Sequence, residues 1–439
     1  MVGRARLGRR FGWLWAAYAV SAYGSGLGFG ALPMIAVLVL HAGPAEVSAL
    51  SAVGPAVGAL VALPLAPWVE FRPKRPVMIA MDLARFAAMA TIPLAYAFGL
   101  LGFVQLLLVS VVVAAAKIAF GAASGAYLKA LVRPQDLLVA NARFESTNWS
   151  SIAVGPPLGG AAIGLFGPVA TVVADALSYL LSALGIAAIG GREDVPRPAG
   201  PGGAGGVVGP VGVGEGGVRA GTGREGPLRA GAVLDGWRHI MGDRVLRALY
   251  LNTALVSGLI MATEPVLAVL LLRHLDFAPW QYGLAFAAPC LGGLVGSRLA
   301  RRVVARHGRD RVFRTVGTLR AVWLIGLVFV RPGVVGLITV IAVELAIIVN
   351  MSLFTPVLAT YRLERTPQHL VARTLTAWSI GQQASIAVCT ALGGLLAGAT
   401  GPRTALAVAG LLILATPLLL PRRDRTTPRD EPEPAGSHA

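Results

Sequence analysis

The stretch Ser151-Ile-Ala-Val-Gly-Pro-Pro-Leu-Gly-Gly160 returns near the other end of the chain as Ser385-Ile-Ala-Val-Cys-Thr-Ala-Leu-Gly-Gly394. The same offset of 234 residues carries Gly164 onto Gly398 and Gly167-Pro168 onto Gly401-Pro402. Upstream it sets Gly54-Pro55 and Gly58 against Ala288-Pro289 and Gly292. One offset shared by several apolar segments identifies the chain as a duplicated helical half.

Each half must live in lipid. Only 13% of the 439 residues are charged and 55% are hydrophobic, against about 25% charged in soluble domains. Apolar runs of about 20 residues recur along the whole length, the signature of a polytopic membrane protein. Twelve spans are predicted: 11–40, 47–68, 76–98, 103–128, 148–165, 169–189, 246–272, 282–300, 313–330, 334–357, 375–397 and 404–420. The first run is too long for a signal-peptide core and is read as a retained helix. The fold class is therefore an all-α polytopic membrane protein, with twelve transmembrane helices in two pseudo-symmetric six-helix halves.

The net charge of +17 raises the question of nucleic acid, and the distribution of the charges answers it. Of the 38 Lys and Arg, 31 lie in or beside the two termini, the central connection and alternate loops. The opposite loops hold only Arg273, Arg331 and Arg403. Such a bias places both termini and the central connection on the cytoplasmic side of a cell membrane. No nucleic-acid partner is needed to explain it.

Residues 1–190 form the first half in this reading, and 246–420 the second. Between them, 191–245 is a cytoplasmic Gly/Pro-rich connection, of which 199–223 cannot bury a core. Its last part, Ala232-Val-Leu-Asp-Gly-Trp-Arg-His-Ile-Met241, has apolar residues at helical spacing. That segment is either an interfacial helix or the first turns of the seventh span. The charged, Pro-containing tail 421–439 is expected to be disordered. Cys290 and Cys389 both fall in predicted spans as small packing residues, with no disulfide framework.

No Walker loop, zinc spacing, dinucleotide fingerprint or nucleophile elbow occurs in a plausible context. No enzyme activity, cofactor or metal is expected. The informative groups are polar residues inside spans, which are costly in hydrocarbon. Asp82 and Arg85 share a helix face at i, i+3, and Arg320 holds nearly the equivalent place in the second half. A structural charge lattice is the favoured role for them. Lys117 and Glu344 fall near mid-membrane. Burial there disfavours the charged form of either group. Glu344 is thus a candidate proton carrier and Lys117 a coupling partner or substrate contact, the alternative being one Lys117–Glu344 structural pair. Asp175 and Glu264 lie in the outer half of the membrane, as gating or cation-binding candidates, with a structural hydrogen-bonding role favoured for Asp175. Gly155, Pro156, Gly159 and Gly160 combine close helix approach with a freed backbone. Ser21, Ser25, Asn252 and Asn350 are candidate cavity-lining polar groups.

These features together resemble the major facilitator superfamily, and more narrowly its twelve-helix drug:proton antiporter branch, which includes macrolide and siderophore exporters. Gly155-Pro156-Pro157-Leu158-Gly159-Gly160 is similar to that branch's fifth-helix motif, with Ser151 where a Gly is usual. Ala66-Pro-Trp-Val-Glu70-Phe71-Arg72-Pro73-Lys74-Arg75 is similar to the loop motif between the second and third helices. Glu70 keeps the acid there, while Ala66 and Phe71 depart from the pattern. Gly296-Ser-Arg-Leu-Ala-Arg301-Arg302 is similar to the degenerate second copy, and Asp82-Leu-Ala-Arg85 and Asp175-Ala-Leu-Ser178 also look like that branch. The resemblance implies that helices 1, 4, 7 and 10 line a central cavity, which raises Lys117, Glu264 and Glu344. It also implies alternating access driven by the proton gradient, with Glu70, Arg72, Asp82 and Arg85 stabilising the inward-closed form. The expected protein is a monomeric exporter of small amphipathic or hydrophobic compounds in exchange for protons. A proton-coupled uptake symporter and a non-transporting membrane sensor or assembly protein are the rivals.

Overall fold

The computed structural model of the protein describes residues 7–70, 72–133, 136–190, 230–367 and 370–420. Among these, all regular structure is helical. The predicted connection 199–223, the tail 421–439 and Phe71 lie outside the described residues.

The first predicted span is two helices, α1 (Gly8–Leu27) and α2 (Ala31–Leu38). They are separated by Gly28-Phe29-Gly30, with Gly30 in the left-handed region at φ 76°. Here Ala31 N–H turns to the Gly28 carbonyl and Phe29 N–H to that of Gly26. Pro33 offers the Phe29 carbonyl no amide hydrogen. Three glycines and a proline within eight residues thus break what the hydropathy pattern reads as one helix.

The rest of the first half is α3 (Pro44–Glu70), α4 (Lys74–Ala97), α5 (Phe103–Leu131), α6 (Leu137–Phe166) and α7 (Pro168–Ala187). Then α8 (Ala230–Gly242) stands apart from α9 (Arg244–Val269). Asp243 separates them as an N-cap, its carboxylate accepting from Val245 N at 2.7 Å and Leu246 N at 2.9 Å. That cap satisfies two amides a helix start leaves without partners. A π turn, Leu270–His274, extends α9. The second half continues with α10 (Pro279–Ala287), α11 (Cys290–His307), α12 (Arg309–Val322), α13 (Val334–Glu364), α14 (Val371–Thr400) and α15 (Pro402–Ala415). Short 3-10 segments follow α12 (Trp323–Phe329) and α15 (Thr416–Leu419).

Among the described residues, eleven helical spans, α1 and α2 counted together, are long and apolar enough to cross a membrane, where twelve were expected. The difference falls on the eighth span. Pro289 interrupts it between α10 and α11. Alone, α10 is too short, and α11 carries Arg298, Arg301, Arg302 and Arg306.

The repeat has a visible mechanical cause. Gly167 and Gly401, at φ 81° and 92°, end α6 and α14. Only glycine adopts that backbone readily. Pro168 and Pro402 then start α7 and α15 at positions where a missing amide hydrogen costs nothing.

Packing also repeats. Within the first half α4 packs on α5 and α7, and α1 on α6 and α7. Between the halves, α3 packs along α14 and α6 along α10. These two contacts exchange under the 234-residue offset. Both reach the end of the bundle remote from Leu7 and Leu420, called the far end below. There a Cβ on Gly398 would touch Ala45 Cβ at 3.4 Å, and Arg273 donates to the carbonyls of His41 and Ala42 at 3.2 and 3.3 Å. The two halves thus meet at the far end. At the opposite, basic end no comparable packing joins α5 to α13 among the described residues.

Candidate functional site

The helix 5 motif is a double seam. A Cβ on Gly155 would lie 2.5 Å from the backbone of Gly26 in α1. On its other side, a Cβ on Gly160 would lie 2.8 Å from Pro279 O, and one on Gly283 2.5 Å from Pro156 O, both across the interface with α10. Gly155 and Gly159 hold α6 against α1, while Pro156 and Gly160 hold it against the other half. No larger residue fits such an approach.

Two polar clusters occupy the first half. In one, Arg85 is ion-paired with Asp82 on α4, and both are buried. The guanidinium lies between the rings of Phe120 on α5, at 4.8 Å, and Tyr179 on α7, at 4.4 Å. This pair knits three helices of one half and does not bridge the halves. The second cluster surrounds Asp175 on α7. Its carboxylate accepts from Ser25 at 3.4 Å and from Tyr179 at 3.3 Å, and Ser25 and Tyr179 hydroxyls share a bond of 2.9 Å. A Cβ on Gly28 would meet Asp175 Oδ2 at 2.8 Å. The broken first span therefore leans directly on this carboxylate.

Lys117 of α5 is exposed within the bundle. Its charged neighbours are Arg85 and Asp175. The sequence reading left open a Lys117–Glu344 pair, and no such contact forms: Lys117 belongs to the first half's polar group.

Glu264 of α9 and Glu344 of α13 lie close enough for their charges to interact. Glu264 also acts on Tyr282 of α10, and Glu344 on Cys290 of α11. Both glutamates are half-buried. Neither carboxylate has a hydrogen bond or an ion pair among the described residues. Tyr282, Phe286 and Cys290 follow at i, i+4 and i+8, on one face of the interrupted α10–α11 rod. The Tyr282 and Phe286 rings are 4.9 Å apart, and Phe29 from the α1–α2 break comes within 6.4 Å of Phe286.

Arg320 on α12 is fully buried. It donates to the Asn252 side-chain oxygen on α9, and Asn252 in turn donates to Thr416 O at 2.7 Å. The guanidinium stacks on Phe354 of α13 at 3.7 Å. Asn252 thus does not line a cavity. Asn350 is buried, and its side-chain NH2 donates to the Ala346 carbonyl of its own helix at 2.7 Å. Ser21 is buried as well, whereas Ser25 reaches Asp175. Buried amides in lipid find partners inside the bundle, as both asparagines do here. Arg72 is exposed. Glu70 ends α3, and its side chain lies outside the described residues.

The sequence reading passed over Phe29, Tyr282 and Phe286. Their signal is three-dimensional, since a helix break and a tertiary contact bring them together. It also passed over Phe120 and Phe354, although the 234-residue offset maps one onto the other.

A family model for the Major Facilitator Superfamily matches residues 14–348 and 250–438, and the chain belongs to that family. Among curated proteins none matches it in sequence. It is similar in fold to a bacterial homologue of the iron transporter ferroportin in an inward-facing state: 15% identity, TM-score 0.70, over 94% of this chain and 98% of that one. The outward-facing state of that homologue overlaps with a TM-score of 0.57 at 16% identity, again over 94% and 98%. The nucleoside transporter NupG gives 8% identity and a TM-score of 0.70 over 94% and 98%. Family and fold identify a multi-pass membrane transporter of small molecules rather than an enzyme.

Proposed function

We propose that this transporter is a proton-coupled antiporter that exports small amphipathic or hydrophobic compounds by alternating access. It works as a monomer in the cytoplasmic membrane, with both termini in the cytoplasm. The observation that carries the reading is that Glu264 on α9 and Glu344 on α13 are half-buried carboxyls with no hydrogen bond or ion pair among the described residues. Carboxyls held inside a membrane protein without a counter-ion are stable when protonated and reactive when exposed to water. Their place on α9 and α13, in the half-buried interior, suits carriers that load and release protons as the halves rock. With cytoplasmic termini, the closed far end makes this form inward-facing. The glycine seam of α6 against α1 and α10 supports a bundle that seals on this side. Lys117 and Asp175 serve as the first half's polar counterpart, and the Asp82–Arg85 pair keeps that half rigid.

The test is substrate-dependent proton movement in proteoliposomes carrying an imposed pH gradient and an internal pH dye. Flux that is present in the native protein and abolished in Glu344→Gln or Glu264→Gln supports the antiporter. Flux unchanged in both variants removes these carboxyls as carriers. Substrate accumulation with, rather than against, the proton gradient would make the protein a symporter.

A further inference from the structure

We infer that the seam between α3 and α14 is a far-end gate poised to open: the buried Ser48 hydroxyl favours its parting, and Arg273 holds it shut. The inference rests on alternating access between two states, as the reading above does, and on neither protons nor the transported compound.

The two seams that join the halves are built differently. Along α6 and α10, glycine faces backbone on both sides: a Cβ on Gly160 would lie 2.8 Å from Pro279 O, and one on Gly283 2.5 Å from Pro156 O. Neither helix has a buried side-chain polar atom without a partner among the described residues. Along α3 and α14 a side chain enters the seam instead. Ser48 is fully buried, one turn into α3, and its Oγ lies 2.5 Å from where Gly394 would carry a Cβ. That hydroxyl has no hydrogen-bond partner among the described residues. A buried hydroxyl without a partner has lost its water and gained no bond in exchange. Parting of α3 from α14 lets water reach it, so only the closed form carries this cost. The fit does not require serine, since alanine has the same Cβ and lacks only Oγ.

The group that offsets this cost stands at the mouth of the same seam. Arg273, in the π turn that extends α9, reaches across to the first half and donates through Nη1 to the carbonyls of His41 and Ala42 at 3.2 and 3.3 Å. Both acceptors lie just before Pro44, where α3 starts. Their turn is tied down: His41 is left-handed at φ 54°, and the Ala42 amide donates back to Ala36 O at 2.8 Å. A histidine keeps that backbone only where its surroundings fix it. The turn therefore stays with the first half as the halves part, and both bonds to Arg273 break with the seam. Bonds from a charged donor are the stronger kind, and Arg273 is exposed enough for water to replace them. Such a latch can let go without stranding a buried charge. The 234-residue offset maps Arg273 onto Val39 and Ser48 onto Tyr282, so the other seam has neither part.

The experiment places spin labels at Leu100 and Val335, exposed far-end positions on opposite halves, in full-length protein whose Cys290 and Cys389 are replaced by alanine. Distance measurements between the labels in lipid nanodiscs, without substrate or gradient, give the populations of short and long separations. Arg273→Gln should raise the ratio of long to short at least about threefold. Ser48→Ala added to that variant should lower the ratio again by about threefold or more. Opposite signs are the mark of the latch, because a general loss of packing moves both variants the same way. A shift in the same direction, or no shift in either, overturns the inference. Should Arg273→Gln fail to fold, Ser48→Ala in the native background must still lower the ratio, or raise the unfolding temperature where only the short separation is populated. No change in either quantity overturns the inference as well. Failure of proton coupling leaves these populations as they are, and a failed latch leaves the glutamate test above untouched.

Discussion

Arg85 and Arg320 occupy nearly equivalent places in the two halves, and they are kept in lipid by different means. Both are buried, and both lie over a phenylalanine that the 234-residue offset maps onto the other, Phe120 and Phe354. The first half supplies a carboxylate, Asp82, and a second ring, Tyr179. In the second half the equivalents of Asp82, Lys117 and Tyr179 are Val316, Met351 and Ile413. There the guanidinium relies on an amide, a thioether at 3.8 Å and a ring at 3.7 Å. Duplication preserved the aromatic platform and the cation, while the acid changed sides: the second half keeps its carboxyls, Glu264 and Glu344, away from its arginine. The lesson is that the first half pairs its buried arginine with an acid on the same helix, while the second holds its arginine with an amide and a ring and carries its carboxyls on other helices.

The largest effect should come from breaking the frame. Asp82→Ala leaves Arg85 charged, buried and without its partner, at a cost of about 3–5 kcal/mol. Thermal unfolding of the purified protein should show the loss, and Asp82→Leu with Arg85→Leu together should recover most of it. A fully stable Asp82→Ala protein would show that the ring contacts alone suffice. Next in size is Asn252→Ala, which removes a bond to a charged group and leaves part of Arg320 unsatisfied, at about 1.5–3 kcal/mol. In an Arg320→Leu background the same change should cost less, and a double-mutant cycle measures the difference. Phe354→Leu should cost about 1–2 kcal/mol through the lost cation–ring contact, and more than Phe120→Leu, because Arg320 has no acid to fall back on. Equal losses would mean that the two rings serve as packing only. The smallest and sharpest test restores the missing acid. Val316→Asp should be tolerated better beside Arg320 than in the Arg320→Leu protein, by about 1 kcal/mol or more, in the same unfolding assay.

A second contact, the glycine seam between α6 and α1, bears on transport and stability at once. Gly155→Val puts bulk where a Cβ already stands 2.5 Å from Gly26. It should abolish transport and lower stability together, because the seam it opens belongs to both.

Much of the fold was legible in the chain. The apolar runs, the repeat and the placement of Gly-Pro pairs follow from chemistry that acts within a few residues, so the helices α3 to α7 and α12 to α15 could be expected near their observed places. The breaks were harder. Gly28 to Gly30 and Pro289 interrupt helices in ways that hydropathy averaging hides, and α6 starts 11 residues before its expected Asn148 because polar residues extend a helix once its apolar part is packed. At the candidate site, burial cost alone pointed to Glu264, Glu344, Asp175 and Lys117 as residues of interest. It could not say which would meet. Lys117 was a reasonable partner for Glu344 on depth, and depth says nothing about the rotation of a helix about its axis.

The sequence by itself determined a duplicated, twelve-segment helical membrane protein, because a strip of lipid-soluble residues can satisfy its backbone in hydrocarbon only as helices. The i, i+3 spacing already allowed Asp82 to pair with Arg85, and only the tertiary structure decided the rest: the rings of Phe120 and Tyr179 about Arg85, Arg320 with Asn252, and the first span's break between Asp175 and Tyr282. The physical reason is that a side chain's charge and size are local properties, whereas its partner depends on which faces of distant helices are turned together. Here the close approach of glycines on α1, α6 and α10 sets that rotation.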